Sequence, residues 1–150
     1  MKLLIVGGTR FLGRHLARQA LDAGHRVTLL HRGKSNAVLF PEAEHRIGDR
    51  DGDLAVLREG LWDAVIDTSA YVPRQVRTMT QALKGRVGHY QLVSTISVYA
   101  DLSLPGTEES AALATLADPS TEVIDGDSYG GLKALCERAL LEALPDRAAI

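Results

Sequence analysis

Leu3-Leu4-Ile5-Val6-Gly7-Gly8-Thr9-Arg10-Phe11-Leu12-Gly13 is the stretch whose reading decides the fold. Four consecutive apolar residues read as a short strand buried on both faces, as strands of a parallel sheet are. Two glycines then allow a sharp turn. An amphipathic pattern runs from Phe11 to Ala23, and Gly24 stands where a left-handed residue closes a helix. Strand, glycine turn and helix in that order aim free N–H groups and the positive end of a helix dipole at one point, which suits a pyrophosphate. A dinucleotide-binding turn uses three glycines: for the turn, for close approach to the phosphates, and for helix–strand packing. Gly7 and Gly13 fit the outer two positions, and Arg10 takes the middle one. Its planar, permanently charged guanidinium is either a phosphate donor or a solvated side chain.

Outward from that stretch, Arg26–Leu30 reads as a second strand, which completes a right-handed βαβ unit. At the end of this strand an acid would bind the adenosine ribose of NAD, whereas an arginine suits the extra phosphate of NADP. The chain has His31-Arg32-Gly33-Lys34 there and no Asp or Glu. Arg32, helped by Lys34, therefore points to NADP over NAD. The alternative is a basic loop facing water.

The remaining elements alternate in the same way. A turn is expected around Ala37–Phe40, a third strand over His45–Asp49 and a short helix over Leu54–Glu59, capped by Asp51 or Asp53. Asp49 is a candidate neighbour of the adenine ring. Asp49-Arg50-Asp51-Gly52-Asp53 resembles a calcium loop, but Leu54 and Gly60 stand where glycine and glutamate are needed, which excludes it. A fourth strand starts at Asp63, a helix opened by Pro73 runs to about Leu83, and Gly85 and Gly88 break the chain before a fifth strand, Tyr90–Ser94. Residues 102–126 are irregular and acidic, a length that in a compact domain is usually functional. A helix spans Tyr129 to about Ala143, and Arg147–Ile150 opens a sixth strand. The reading is α/β: one doubly wound parallel sheet, residues 1–150 forming one NAD(P)-binding domain.

Composition bounds the partners. At 150 residues and a net charge of −2, the chain is one domain's worth, without a field that draws nucleic acid or anionic membrane. A single Cys136 excludes an internal disulfide and a multi-cysteine metal site. No apolar run approaches a membrane span and the first residues are too short for a signal peptide, so the cytoplasm is the expected compartment. His15, His25, His31, His45 and His89 lack ligand spacing, so no metal is expected. Phe11, Trp62 and Cys136 read as core, and Asp67 as a strand-end polar group near the cofactor or a turn former.

Two stretches carry chemistry: Val93-Ser94-Thr95-Ile96-Ser97-Val98-Tyr99-Ala100 and Tyr129-Gly130-Gly131-Leu132-Lys133. Tyr129 and Lys133, four apart, share a helix face. An ammonium so close favours the phenolate and brings the tyrosine toward the working pH range. A hydroxyl from the fifth strand's end could hold a substrate oxygen.

With the glycine turn, these stretches resemble the extended short-chain dehydrogenase/reductase superfamily, in the NAD-dependent epimerase/dehydratase group. The resemblance implies a Rossmann fold and a reductase or epimerase/dehydratase that moves a hydride at a hydroxyl or carbonyl carbon. It implies that Thr95, Tyr129 and Lys133 are catalytic. Gly7, Thr9, Arg10, Phe11, Leu12, Gly13, Arg32, Asp49, Ser94, Tyr129 and Lys133 would hold NADP, or else NAD. A small-molecule substrate such as a nucleotide sugar, and a homodimer, go with it. Arg10, and Ala100 after Val98-Tyr99, depart from the pattern. The Gly-Gly-Thr-Arg-Phe variant is similar to branches with isoflavone-reductase-like and chloroplast stem-loop RNA-binding proteins. The rival reading is therefore a non-catalytic cofactor sensor or RNA-associated regulator on the same fold. Family members run on into a C-terminal part that closes over substrate. The expectation is a fragment without it.

Overall fold

The opening apolar run forms β1 (Lys2–Val6), followed by α1 (Phe11–Asp22) and β2 (Arg26–His31). Then come β3 (Glu44–Ile47), β4 (Trp62–Asp67), α2 (Pro73–Ala82) and β5 (Val87–Leu92). Last are α3 (Tyr129–Ala143) and β6 (Ala148–Ala149). The computed structural model describes residues 1–36, 38–103 and 105–150. Every strand pairing is parallel, in the order β3-β2-β1-β4-β5-β6. The order reverses between β1 and β4, and there a doubly wound sheet opens a crevice outside the strands' carboxyl ends. This is the expected Rossmann architecture.

Side chains alternate across β1 into two cores. Leu3 and Ile5 meet Ala17 and Ala20 of α1, while Leu4 and Val6 meet Val76 and Met79 of α2 and Cys136 and Leu140 of α3. Helices cover both faces, so the strand's sequence is apolar throughout rather than alternating. Cys136 is buried as expected, and burial pushes its thiol up to about 11.

Several boundaries differ from the sequence reading. β3 stops at Ile47, so Asp49 lies in the following loop. The helix expected over Leu54–Glu59 is a single 3-10 turn, Ala55–Leu57, ended by Gly60 at φ +113°. Asp53 accepts the Ala55 N–H at 2.7 Å, whereas Asp51 turns away to Arg74 and Gln75. β4 begins at Trp62 and β5 at Val87, because those two residues pair across the sheet, and this puts Gly88 inside a strand. Ser94 lies past the end of β5.

Phe11 is a correction. As the first residue of α1, at φ +35°, it is 88% exposed, and Gly13, Ala17 and Ala20 carry the buried face instead. Trp62 is buried as expected. The turn expected around Ala37–Phe40 starts outside the described residues. Between residues 100 and 128 the described residues form no helix or strand, only turns and one isolated bridge between Tyr99 and Leu113.

Candidate cofactor cleft and catalytic trio

The turn after β1 is built from backbone. Gly7 sits at φ +90° and donates its N–H to the Leu30 carbonyl at 3.0 Å, while its own carbonyl takes the Thr9 N–H at 3.0 Å. Gly13 packs on that carbonyl so closely that a Cβ would run into the Gly7 oxygen. The outer two glycines thus do what the spacing demands. Arg10 is the N-cap of α1 at φ −137° and ψ 152°, extended backbone that any residue adopts, so no glycine is needed there for conformation.

Around this turn lies a cleft of about 500 Å³. Thr9, Arg10, Phe11, Leu12 and Gly13 form one wall, and Arg32, Gly33 and Lys34 form the second. Asp49, Arg50 and Asp51 form the third, and Ser69, Tyr71 and Gln75 the fourth. The structure therefore gathers every expected cofactor residue except Ser94, Tyr129 and Lys133. Asp51 is tied down by Arg74 and Gln75, so Arg10, Arg32 and Lys34 face a cleft whose remaining open acid is Asp49.

The loop after β2 is pinned twice. Asn36 donates to the Thr9 carbonyl at 3.0 Å, joining it to the glycine turn. His31, buried at the end of β2, accepts the Gly33 N–H on Nδ1 at 3.0 Å and meets Nδ1 of His45 through Nε2 at 2.8 Å. These two histidines, read from the sequence as scattered, form a pair because β2 and β3 are neighbours.

A charged network lies under the cleft and went unread in the sequence. Arg50 forks onto Asp67, Nη1 to Oδ1 at 2.8 Å and Nη2 to Oδ2 at 2.6 Å, with Nη1 also reaching Ser69 at 3.1 Å. The Tyr90 hydroxyl donates to Asp67 at 2.7 Å. Asp67 is fully buried. Burial alone would raise its carboxyl, but the Arg50 charge and hydrogen bonds, with Tyr90 and the Ser69 N–H, hold it below the usual range. Burial and then the Asp67 charge push the Tyr90 phenol well above its ordinary value. The signal was an acid within the apolar run Ala64-Val65-Ile66-Asp67, a position that obliges a partner.

The three expected catalytic residues lie on α3 and at the start of the 3-10 turn packed against it, without hydrogen bonds to one another among the described residues. Lys133 is buried and donates to the carbonyls of Ala70 at 2.9 Å and Val93 at 2.8 Å, fastening α3 to the ends of β4 and β5. Loss of hydration holds its ammonium below the ordinary lysine value. Tyr129, half-buried, stands beside Tyr71, ring centroids 6.4 Å apart, and so borders the cleft through that ring. Thr95 starts the 3-10 turn Ile96–Val98 and accepts the Ser97 N–H at 3.2 Å. That turn docks on α3 at Gly130, where a Cβ would strike the Ser97 carbonyl. Ser94 donates to Glu137 of α3, away from the cleft lining.

A crevice at the reversal point of a parallel sheet, with a glycine turn under a helix N-terminus, is the arrangement with which doubly wound folds bind dinucleotides. The chain belongs to the NAD dependent epimerase/dehydratase family, which matches residues 3–88. Its structure is similar to the UDP-Glc/GlcNAc 4-epimerase from Campylobacter jejuni, with a TM-score of 0.76 and 20% identity, covering 96% of this chain and 49% of that one. Its sequence is 26% identical to the ketoreductase azaE of Aspergillus niger, over 87% of this chain and 44% of that protein. It is 48% identical over 54 residues to the chloroplast stem-loop binding protein of 41 kDa b of Arabidopsis thaliana, 36% of this chain and 13% of that one. The chain spans less than half the length of either curated relative.

Proposed function

We propose that residues 1–150 form the cofactor-binding domain of an NADP-preferring reductase or epimerase/dehydratase-type oxidoreductase acting on a small molecule such as a nucleotide sugar. The observation that carries this reading is the charge of the cleft: Arg10, Arg32 and Lys34 line it, and β2 ends at His31 and is followed by Arg32, with no acid at either position. The Gly7–Gly13 contact leaves room for a pyrophosphate at the start of α1, and the basic loop suits a further phosphate on the adenosine ribose. Bound there, the nicotinamide would supply the hydride exchange. Tyr129 moves the proton at its Oη, and Thr95 orients the substrate oxygen. Among the described residues Lys133 has one N–H beyond its two carbonyl bonds, for a ribose hydroxyl or for the field that favours the phenolate.

Isothermal titration tests the cofactor reading. NADPH is expected to bind roughly tenfold tighter than NADH, the worth of one charge-assisted hydrogen bond, and Arg32→Ala to erase that difference. Tighter NADH binding by the parent chain would overturn it. The match to a stem-loop binding protein favours one rival, an RNA-associated regulator. A basic cleft that binds stem-loop RNA with a steep salt dependence and ignores NADPH would establish that rival instead.

A further inference from the structure

The hydrogen bonds around His31 run in one direction only. The Gly33 N–H can only donate, so Nδ1 of His31 carries no proton. The Phe40 carbonyl can only accept, so Nε2 of His45, 3.0 Å from it, carries one. The remaining contact is then His31 Nε2–H donating to His45 Nδ1, at 2.8 Å with the rings at 85°. Both acceptor nitrogens are used and both rings are neutral. A proton added to His31 would meet the Gly33 N–H, and one added to His45 would meet the His31 N–H.

We propose that His31 is a positioning residue, that the His31–His45 relay holds the Arg32–Ser35 loop in its phosphate-binding shape, and that protonating the relay releases that loop. The proposal rests on the cofactor reading above. Among the described residues the loop has few other ties. Gly33 sits at φ +72°, and Asn36, at φ +47°, holds the glycine turn through Thr9. His31 thus sits one residue before the arginine assigned to the ribose phosphate.

The groups around the relay come from several elements. From β3 the facing group is His45 itself. From α1, Arg18 lies 4.8 Å over the Phe40 ring and is paired with Asp22 and Glu42. Arg32 and Lys34 on the loop, and Arg10 beyond it, are cations in the same cleft. Asp49 lines that cleft too, but no carboxylate bonds either ring among the described residues. Burial, and then His45, hold His31 below the ordinary imidazole value. In the unfolded chain His31 takes up a proton as pH falls through about 6.5. The folded chain resists until lower pH, so acid costs both stability and loop order.

The test uses the full chain and needs two readings. Nitrogen NMR of the imidazoles, without ligand, is expected to show both histidines as the Nε2–H tautomer at neutral pH, with His31 taking up its proton at lower pH than an ordinary imidazole. An Nδ1–H tautomer on either ring would overturn the proposal. The second reading is the affinity for 2′,5′-ADP, which carries the ribose phosphate, between pH 7.5 and 5.5. His31→Leu should weaken binding about tenfold at pH 7.5, the loss of a positioned charged donor. His31→Gln keeps an acceptor and a donor without a titrating nitrogen, so it should rescue most of that loss and weaken less in acid than the parent. Because the ligand's own phosphate titrates equally in both, only the difference between parent and His31→Gln reports the relay. Identical pH profiles would overturn the proposal. Failure of every variant to bind 2′,5′-ADP, with the tautomers as expected, would remove the cofactor reading and leave the relay in place.

Discussion

The cleft around the glycine turn and the tyrosine helix that borders it are made of different material. On the glycine-turn side, proposed above for the adenosine phosphates, the working surfaces are backbone: Gly7 turned to φ +90° and Gly13 set against its carbonyl. On the tyrosine side, the working surfaces are side chains held by long-range contacts, with Lys133 fastened to Ala70 and Val93, and Tyr129 set beside Tyr71. Beneath both sides runs the Arg50–Asp67–Tyr90 network, which joins the loop after β3 to β4 and β5. Backbone machinery tolerates no added atom. Side-chain machinery tolerates loss of a group so long as the elements stay docked.

The largest expected effect strikes the shared base. Asp67→Ala leaves the Arg50 guanidinium buried without its carboxylate, which should lower stability by about 3–5 kcal/mol, read as a fall in Tm or urea midpoint. A drop under 1 kcal/mol would mean that the network does not bind the two sides together.

Gly13→Val comes next. Its Cβ would run into the Gly7 carbonyl and crowd the Gly8 Cα, both backbone, and about 3 kcal/mol of stability should go along with dinucleotide binding. A Gly13→Val chain that bound NADPH normally in titration would refute a backbone-built adenosine side.

Tyr129→Phe should do the opposite, sparing fold and cofactor affinity. In single-turnover reduction it should lower the rate by about 10²-fold, near 2.7 kcal/mol of barrier. Unchanged turnover would remove the proton-transfer role.

The smallest effect belongs to Arg74, an exposed residue bridging Asp51 and Glu122. Arg74→Ala should lower Tm slightly at low salt and not at all at high salt, since solvent screens such pairs. A salt-independent drop would make that bridge a structural tie between the cleft and the long segment.

The same contrast explains what could be read in advance. Leu3–Val6 is an apolar run that only a two-sided burial explains, and Gly7, Gly13 and Gly24 mark backbone geometry directly, so the sheet, the turn and α1 were legible. Phe11 was misplaced because periodicity assigns a helix its apolar face without saying how the first turn is aimed. Arg50 and Asp67 lie 17 residues apart, and His31 and His45 14 apart. Those pairings exist only once β1, β2, β3 and β4 lie side by side, and spacing along the chain holds no trace of them. Residues 102–126 read as irregular because those of them that are described are fixed by turns and by ties such as Glu122–Arg74 rather than by a repeating pattern.

Lys133 also sets an order of assembly. Its two carbonyl partners lie 63 and 40 residues earlier in the chain. A ribosome adding about 5–20 residues per second makes Val93 roughly 2–8 s before Lys133. Contacts that close so late in sequence are slow to form. The glycine turn and its parallel neighbours are thus already synthesised while the carbonyls of Ala70 and Val93 still await their donor. Pulse proteolysis of chains stalled before residue 129 should find β1–β4 already protected and the end of β5 still open. In time as in material, the adenosine side comes first.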